Sequence, residues 1–216
     1  MKQNTKWFGG VAALCLAASL AGCDGSNDDN KTMSNADAAA TPAQASVDTG
    51  IAAPADTDAT PVKMERASAI LKGVDGADIG TVHFQQTPNG VLISGELSNL
   101  PPGAHGFHIH AVGACTPDFA AAGGHFSPMK NMHGYLVKGG PHAGDMPNIH
   151  VDAGGQTSIE LFNPAISLHA SDRGYLFDED GAAVIIHQDA DDYQSQPSGA
   201  AGDRIACGVI TADASE

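Results

Sequence analysis

The residues of this chain that could do chemistry gather after position 105. Gly106-Phe107-His108-Ile109-His110 sets two imidazoles two residues apart. On a β-strand such a pair points to one face, while Phe107 and Ile109 point to the other, toward a core. Two imidazoles side by side on a rigid strand can grip one metal ion, and imidazole suits copper and zinc alike. His125, His133, His142 and His187 follow, with Asp145 three residues beyond His142.

Elements must hold these groups in place. Short strands are predicted at 67–72, 79–87 and 91–97, with turn signals at Gly73-Val74-Asp75-Gly76 and Pro88-Asn89-Gly90 and a break at Pro101-Pro102-Gly103. The strand of His108 and His110 comes next. Strands resume at 148–151, 156–162, 182–187 and 204–211. With no helical periodicity, this spacing predicts an antiparallel sandwich or barrel. Residues 113–146 break the pattern with seven glycines and three histidines. A connection this long inside a domain is functional or disordered, and its metal-capable side chains predict a loop tied down by coordination.

The ends and the charge set further bounds. Lys2 and Lys6 precede an apolar run at 7–20, too short for a stop-transfer helix. The run closes in Leu20-Ala21-Gly22-Cys23, which resembles the bacterial lipobox, with cleavage before Cys23 and lipidation of its thiol. Cys15 would leave with the signal peptide at 1–22. From Cys23 to Arg66 small and polar residues dominate, predicting a disordered linker; residues 24–66 as a flexible coil would span roughly 35 Å. Residues 67–216 form the domain. They carry 17 Asp plus Glu against 5 Lys plus Arg, a net of −12. That balance argues against nucleic acid or anionic lipid headgroups as partners. Cys115 and Cys207 remain, and a pair in an exported domain reads as a disulfide. A zinc site through them is the alternative, although neither stands in a C-x-x-C pair.

Taken together these pieces resemble copper–zinc superoxide dismutase of the bacterial exported kind. The resemblance covers the whole domain. It rests on Gly106-Phe107-His108-Ile109-His110, Gly123-Gly124-His125-Phe126, His133-Gly134, Gly140-Pro141-His142-Ala143-Gly144-Asp145, His187 with Asp191 four on, and Gly202-Asp203-Arg204-Ile205-Ala206-Cys207-Gly208-Val209-Ile210. The intervals of 17, 8, 9 and 3 residues from His108 onward are similar to the family's own. The resemblance implies an all-β, eight-stranded Greek-key barrel, an immunoglobulin-like sandwich with long metal-binding and electrostatic loops. It implies copper held by His108, His110, His125 and His187, and zinc held by His125, His133, His142 and Asp145. His125 would bridge the two as an imidazolate and carry a proton between half-reactions. Superoxide would leave as O2 in one half and as H2O2 in the other.

The same resemblance gives Asp191 the task of joining His108 to His133; read alone, it is a solvated aspartate beside Asp192. It gives Arg204 the task of drawing in the anion; read alone, it is an arginine bonding carbonyls near the disulfide. The loop at 188–203 holds no lysine, so steering falls to Lys130 or Lys138. The segment 171–180 is more acidic than an anion's approach calls for. His83, His105, His150 and His169 match no ligand and read as structural or surface residues. Met129, Met132 and Met146 read as gap-fillers. A non-enzymatic copper- and zinc-binding module is the rival function, a degraded site being its mark; here every ligand and the arginine are present. The expected setting is the bacterial cell envelope, facing the periplasm, with the membrane touched only through the lipid anchor and a homodimer left open.

Overall fold

Alternation builds the first strands. In β1 (Arg66–Gly73) Ala67, Ala69 and Leu71 are buried while Ile70 and Lys72 face out. β2 (Asp78–Thr87) and β3 (Gly90–Leu97) meet through the two-residue turn Pro88-Asn89, which sets Thr87 opposite Gly90. A computed structural model describes residues 65–214. The leader at 1–22, Cys23, the linker up to residue 64 and residues 215–216 lie outside the described residues.

Six strands follow: β4 (Gly103–His105), β5 (Phe107–His110), β6 (Ile149–Val151), β7 (Thr157–Asn163), β8 (Ala183–His187) and β9 (Arg204–Ala212). One sheet runs in the order β5-β8-β9-β1-β2-β3-β7, and β4 pairs with β6. Every strand pairing is antiparallel. Only Gly106 separates β4 from β5, so as one interrupted strand they give the eight strands expected. The chain neighbours β3 and β4 are not sheet neighbours, nor are β7 and β8; these crossings are the Greek-key connections. The curled sheet nearly closes through β6 and β7, which meet at a tight turn where Asp152 N–H donates to Gln156 O at 2.9 Å.

Two elements depart from the sequence expectation. β4 arises where the proline-rich break was read, because its backbone finds β6 as a partner. A 3-10 turn, Phe119–Ala122, forms inside the long loop, started by Asp118, whose side chain accepts from Ala120 N–H at 2.9 Å.

The core lies inside the curl and includes Leu71, Phe84, Ile93, Phe107, Ile109 and Ile186. Fully burying each stabilises the fold by about 1.5–3 kcal/mol. All five residues of β8 are buried, which explains its uninterrupted apolar run. Its outward face, at Ala183 and Ile185, is covered by Ala122, Cys207, Cys115 and Phe119. Cys115 and Cys207 form the disulfide, with Cα atoms 5.9 Å apart across a separation of 92 residues. The bond rules out the cysteine zinc site and staples the long loop to β9. Of the three loop methionines only Met146 fills core space; Met129 and Met132 are exposed. This part of the loop has no core beneath it to fill.

Candidate metal centre

β5 supplies the rigid base. All four of its residues are buried: Phe107 and Ile109 in the core, His108 and His110 on the opposite face beneath the long loop. β8 pairs alongside, and its last residue, His187, donates its N–H to Gly106 O at 2.8 Å. Gly106 is required here by close approach. A Cβ would stand 3.0 Å from Ala201 Cβ and 3.1 Å from the His108 ring. The loop returns along the free edge of β5, where Phe126 N–H donates to Ile109 O at 2.8 Å and Ile109 N–H to Gly144 O at 2.9 Å. These bonds carry His125 opposite His110 and Asp145 opposite His108.

Two groups result, and they share one residue. His108, His110, His125 and His187 form the first; His125, His133, His142 and Asp145 form the second. In each, the ligand-capable atoms lie within 4.8 Å of one another. Every sequence-predicted ligand is therefore in one of the two groups, and none falls outside.

The outer nitrogens of the first group are fixed by the protein. His110 Nδ1–H donates to Gly123 O at 2.9 Å, His187 Nδ1–H to Gly202 O at 3.2 Å, and His108 Nε2–H to Asp191 Oδ2 at 2.9 Å. Such bonds set the tautomer and aim the other lone pair inward. The inward atoms are His108 Nδ1, His110 Nε2, His125 Nε2 and His187 Nε2, all buried with no hydrogen-bond partner. Four buried, unsatisfied imidazole nitrogens converging on one point would be costly in a protein that bound nothing there. They fit a metal with nitrogen preference such as copper.

The second group turns on one oxygen. Asp145 Oδ1 lies 2.7 Å from His125 Nδ1, 3.0 Å from His133 Nδ1 and 3.2 Å from His142 Nδ1. Ligands about 2.0–2.1 Å from a tetrahedral ion stand roughly 3.3 Å apart, so these distances are close to tetrahedral edges. His133 Nδ1 makes no hydrogen bond despite its 3.0 Å contact. Its lone pair thus fits a shared ion better than the carboxylate. The other carboxylate oxygen, Oδ2, accepts from Gly134 and His142 N–H, both at 2.9 Å.

Electrostatics follow from this packing. Burial, helped by the neighbouring His125, pushes His110 down to about 2; burial and His108 push His187 down to about 3. Burial lowers His125 to about 4, even against the raising effect of Asp145. Burial alone would raise both carboxyls. Hydrogen bonds from His125 and His142 instead hold Asp145 well below the carboxylate range, and those from His108 and His133 hold Asp191 at about 2. His110, His125 and His187 are thus held neutral and the two carboxylates charged, the states that bind metal.

Asp191 joins the groups: Oδ2 accepts from His108 and Oδ1 from His133 Nε2–H at 3.0 Å. It is buried, so the reading of a solvated loop aspartate is wrong. Gly199 makes room for it in left-handed geometry, at φ 70°; a Cβ there would overlap Asp191 Oδ1 at 1.8 Å.

Arg204 stands opposite His187 where β8 and β9 slip register. Its Nη1 donates to Phe119 O at 2.5 Å and its Nη2 to Gly123 O at 2.6 Å. Gly123 O also accepts from His110, so one carbonyl ties the arginine to the first group. Burial lowers the Arg204 pKa, yet a guanidinium stays charged. Lys130 and Lys138 are exposed and form no ion pair among the described residues, whereas Lys72 pairs with Asp78. Arg173, from the acidic segment, reaches Met129 Sδ at 3.7 Å, so that segment meets the metal loop with a cation.

Sequence reasoning reads His105 as structural or surface, of which the structural side matches, and it missed two other supports. His105 is buried with Nδ1 2.9 Å from His187 O and Nε2 2.8 Å from Pro101 O, holding the backbone of a ligand. Asn148 and Gln196 bond the backbones of Asp191 and His133. Side chains that serve remote backbone carry no periodic or motif signal.

Comparison with known proteins agrees with this geometry. The family model for copper/zinc superoxide dismutase (SODC) matches residues 79–210. Superoxide dismutase [Cu-Zn] 1 of Aquifex aeolicus is 52% identical over 137 residues, covering 62% of this chain and 81% of that protein. Superoxide dismutase [Cu-Zn] of Caulobacter vibrioides is 43% identical over 147 residues, 67% of this chain and 84% of that one. A crystal structure of a SOD-like protein from Bacillus subtilis, a double mutant, superposes with a TM-score of 0.64 at 41% identity, covering 66% of this chain and 95% of that one. A match over more than half its length, with both ligand groups intact, places the chain in the copper/zinc superoxide dismutase family.

Proposed function

We propose that the chain dismutates superoxide, with copper held by His108, His110, His125 and His187 and zinc by His125, His133, His142 and Asp145. The observation that carries this is the division of ligand atoms. Four partnerless nitrogens define one group, three Nδ1 atoms about one carboxylate oxygen define the other, and His125 serves both. Copper, when bound, supplies a one-electron couple that oxidises one superoxide to O2 and reduces the next to H2O2. Zinc closes a four-ligand site of the structural kind.

The chain's own groups do the rest. His125 can face two ions only with both ring nitrogens deprotonated. Its Nε2 is the atom that takes up a proton between half-reactions and gives it to the departing peroxide. Asp191 fixes the rings of His108 and His133 and raises their basicity. Arg204, held by Phe119 O and Gly123 O, presents a fixed cation beside the copper ligands and gives the anion its final pull. Lys130 or Lys138 adds longer-range attraction on a domain whose net charge is −12.

The reading extends to the cell. Cys23 carries lipid after cleavage of residues 1–22, and the linker from Cys23, ending at about residue 64 because Arg66 already belongs to β1, tethers the domain to a membrane in the periplasm-facing envelope. The support is the Leu20-Ala21-Gly22-Cys23 sequence. Palmitate labelling that is lost in Cys23→Ser tests it. A homodimer is the protein partner we propose to test, by sedimentation of the exported protein. Metal analysis joined to a superoxide-consumption assay tests the central claim. One copper and one zinc per chain with fast turnover is expected; two metals with no turnover would favour the non-enzymatic binding module.

A further inference from the structure

Two side-chain amides near the centre are arranged alike. Asn148, just before β6, accepts from Asp191 N–H at 2.8 Å through Oδ1 and donates to Asp191 O at 2.9 Å through Nδ2. Gln196, in the loop after β8, accepts from His133 N–H at 3.0 Å through Oε1 and donates to His133 O at 2.8 Å through Nε2. Each amide thus satisfies both backbone groups of one residue, as a neighbouring strand would. Only Asn and Gln combine an acceptor and a donor in one planar group of this shape.

The two clamps run in opposite directions. Asn148 follows the metal loop and grips the loop after β8; Gln196 belongs to the loop after β8 and grips the metal loop. The residues they grip, Asp191 and His133, are bonded to each other at 3.0 Å, and Asp191 continues to His108 at 2.9 Å. Neither segment has regular secondary structure at the gripped residue. Asp191 has little freedom left. Both oxygens are committed to rings, and Gly199 packs against Oδ1 so closely that no Cβ fits. A shift of either backbone would therefore reach both rings.

We propose that Asn148 and Gln196 are positioning residues that act as one cross-brace, coupling the two metal groups through Asp191. The inference rests on the ligand assignment above. It differs from a merely stabilising role in one respect: loss of either clamp must register at both metals, including the one it does not adjoin.

The experiment uses the full copper- and zinc-loaded chain with Gln196→Met and Asn148→Leu, near-isosteres that lose both bonds. Gln196→Glu and Asn148→Asp keep the acceptor alone. Zinc release is followed with a coloured chelator, and copper by its Cu(II) paramagnetic resonance spectrum. Zinc should leave about tenfold faster in either apolar variant, within the 10–100-fold range for groups that orient ligands. The Cu(II) spectrum should shift in both, although Gln196 touches only the zinc side. The acidic variants should fall between. The double variant should cost less than the sum of the two, since both act through Asp191. If Gln196→Met changed zinc release while the Cu(II) spectrum stayed that of the parent, the coupling would be refuted and Gln196 would be a local support. Should either variant fold too poorly to load, its acidic counterpart decides by the same two readouts. A parent protein that bound no zinc would instead overturn the ligand assignment itself.

Discussion

The two metal groups are built on different foundations. Three residues of the first stand on strands, His108 and His110 on β5 and His187 at the end of β8. Their outer nitrogens bond carbonyls or Asp191, so their directions are set without an ion. All four residues of the second lie in the long loop, outside regular strands; isolated bridges to β5 place His125 and Asp145, and Asp145 gathers the three rings. The strand-built group is preformed by the sheet. The loop-built group is therefore expected to depend on its ion, the disulfide and Asp191 to keep its shape.

The largest expected effects follow from that contrast. Asp145→Ala should lower zinc affinity by on the order of a hundredfold or more and expose residues 113–146 to protease, since removing one partner of a buried charged set costs about 3–5 kcal/mol. His187→Ala should abolish turnover yet leave the same loop protected. Hydrogen exchange of the two variants checks this. Protection of the loop in metal-free Asp145→Ala would show that the loop does not depend on the second group.

Reduction of Cys115–Cys207 comes next. Closing 92 residues is worth about 4–5 kcal/mol on the chain-entropy model. It should also slow turnover, because the loop that carries Phe119 and Gly123, the anchors of Arg204, would lose its staple to β9. Denaturant melts and initial rates, with and without reductant, measure both.

Acid should discriminate by degrees. His110, His125 and His187 titrate at about 2, 4 and 3 in the metal-free fold, against 6.5 when unfolded. Below 6.5 the unfolded chain binds more protons, so stability must fall as pH falls from there toward about 2. Asp191 adds the same sign lower down: what it contributes above 3.8 is lost as pH drops through about 2. The melting temperature of chelated protein should be flat above pH 7 and decline below 6.5. A maximum near pH 5 would contradict the buried, neutral rings.

The two ligand sets were read from the family resemblance, and only parts of them are local in the chain, since His125 joins from the loop and His187 from β8. His108 and His110 share a face by the pleat alone, and Asp145 lies a turn from His142. Alternation in β1 and β3 likewise declared its own buried face. The cross-braces could not be read. Asn148 and Asp191 are 43 residues apart, Gln196 and His133 are 63 apart, and an amide bonding remote backbone leaves no pattern. β4 was hidden for a similar reason: three residues after two prolines become a strand only because β6 lies beside them. The exposed Met129 and Met132 were misjudged because composition does not say where a loop leaves the core.

The smallest effects should come from the lysines, and they separate near from far on the loop itself. Arg204 is partly buried and fixed by two carbonyls, where salt screens little. Arg204→Glu should therefore cut the rate by about tenfold or more at any ionic strength, because it reverses a charge next to the copper ligands. Part of that loss is structural, so Arg204→Gln, which can still donate to one carbonyl, should fall between. Lys130 and Lys138 are exposed, and each can influence only the encounter. Lys130→Ala or Lys138→Ala should slow the reaction by about twofold or less at 0.15 M salt, where the Debye length is about 8 Å, and by more at 0.01 M, where it is about 30 Å. Stopped-flow rates over a salt series on these variants supply the test. Parallel salt slopes for the parent and both lysine variants would mean that neither steers, leaving attraction of the anion to Arg204 and to Arg173, whose guanidinium meets the same loop at Met129.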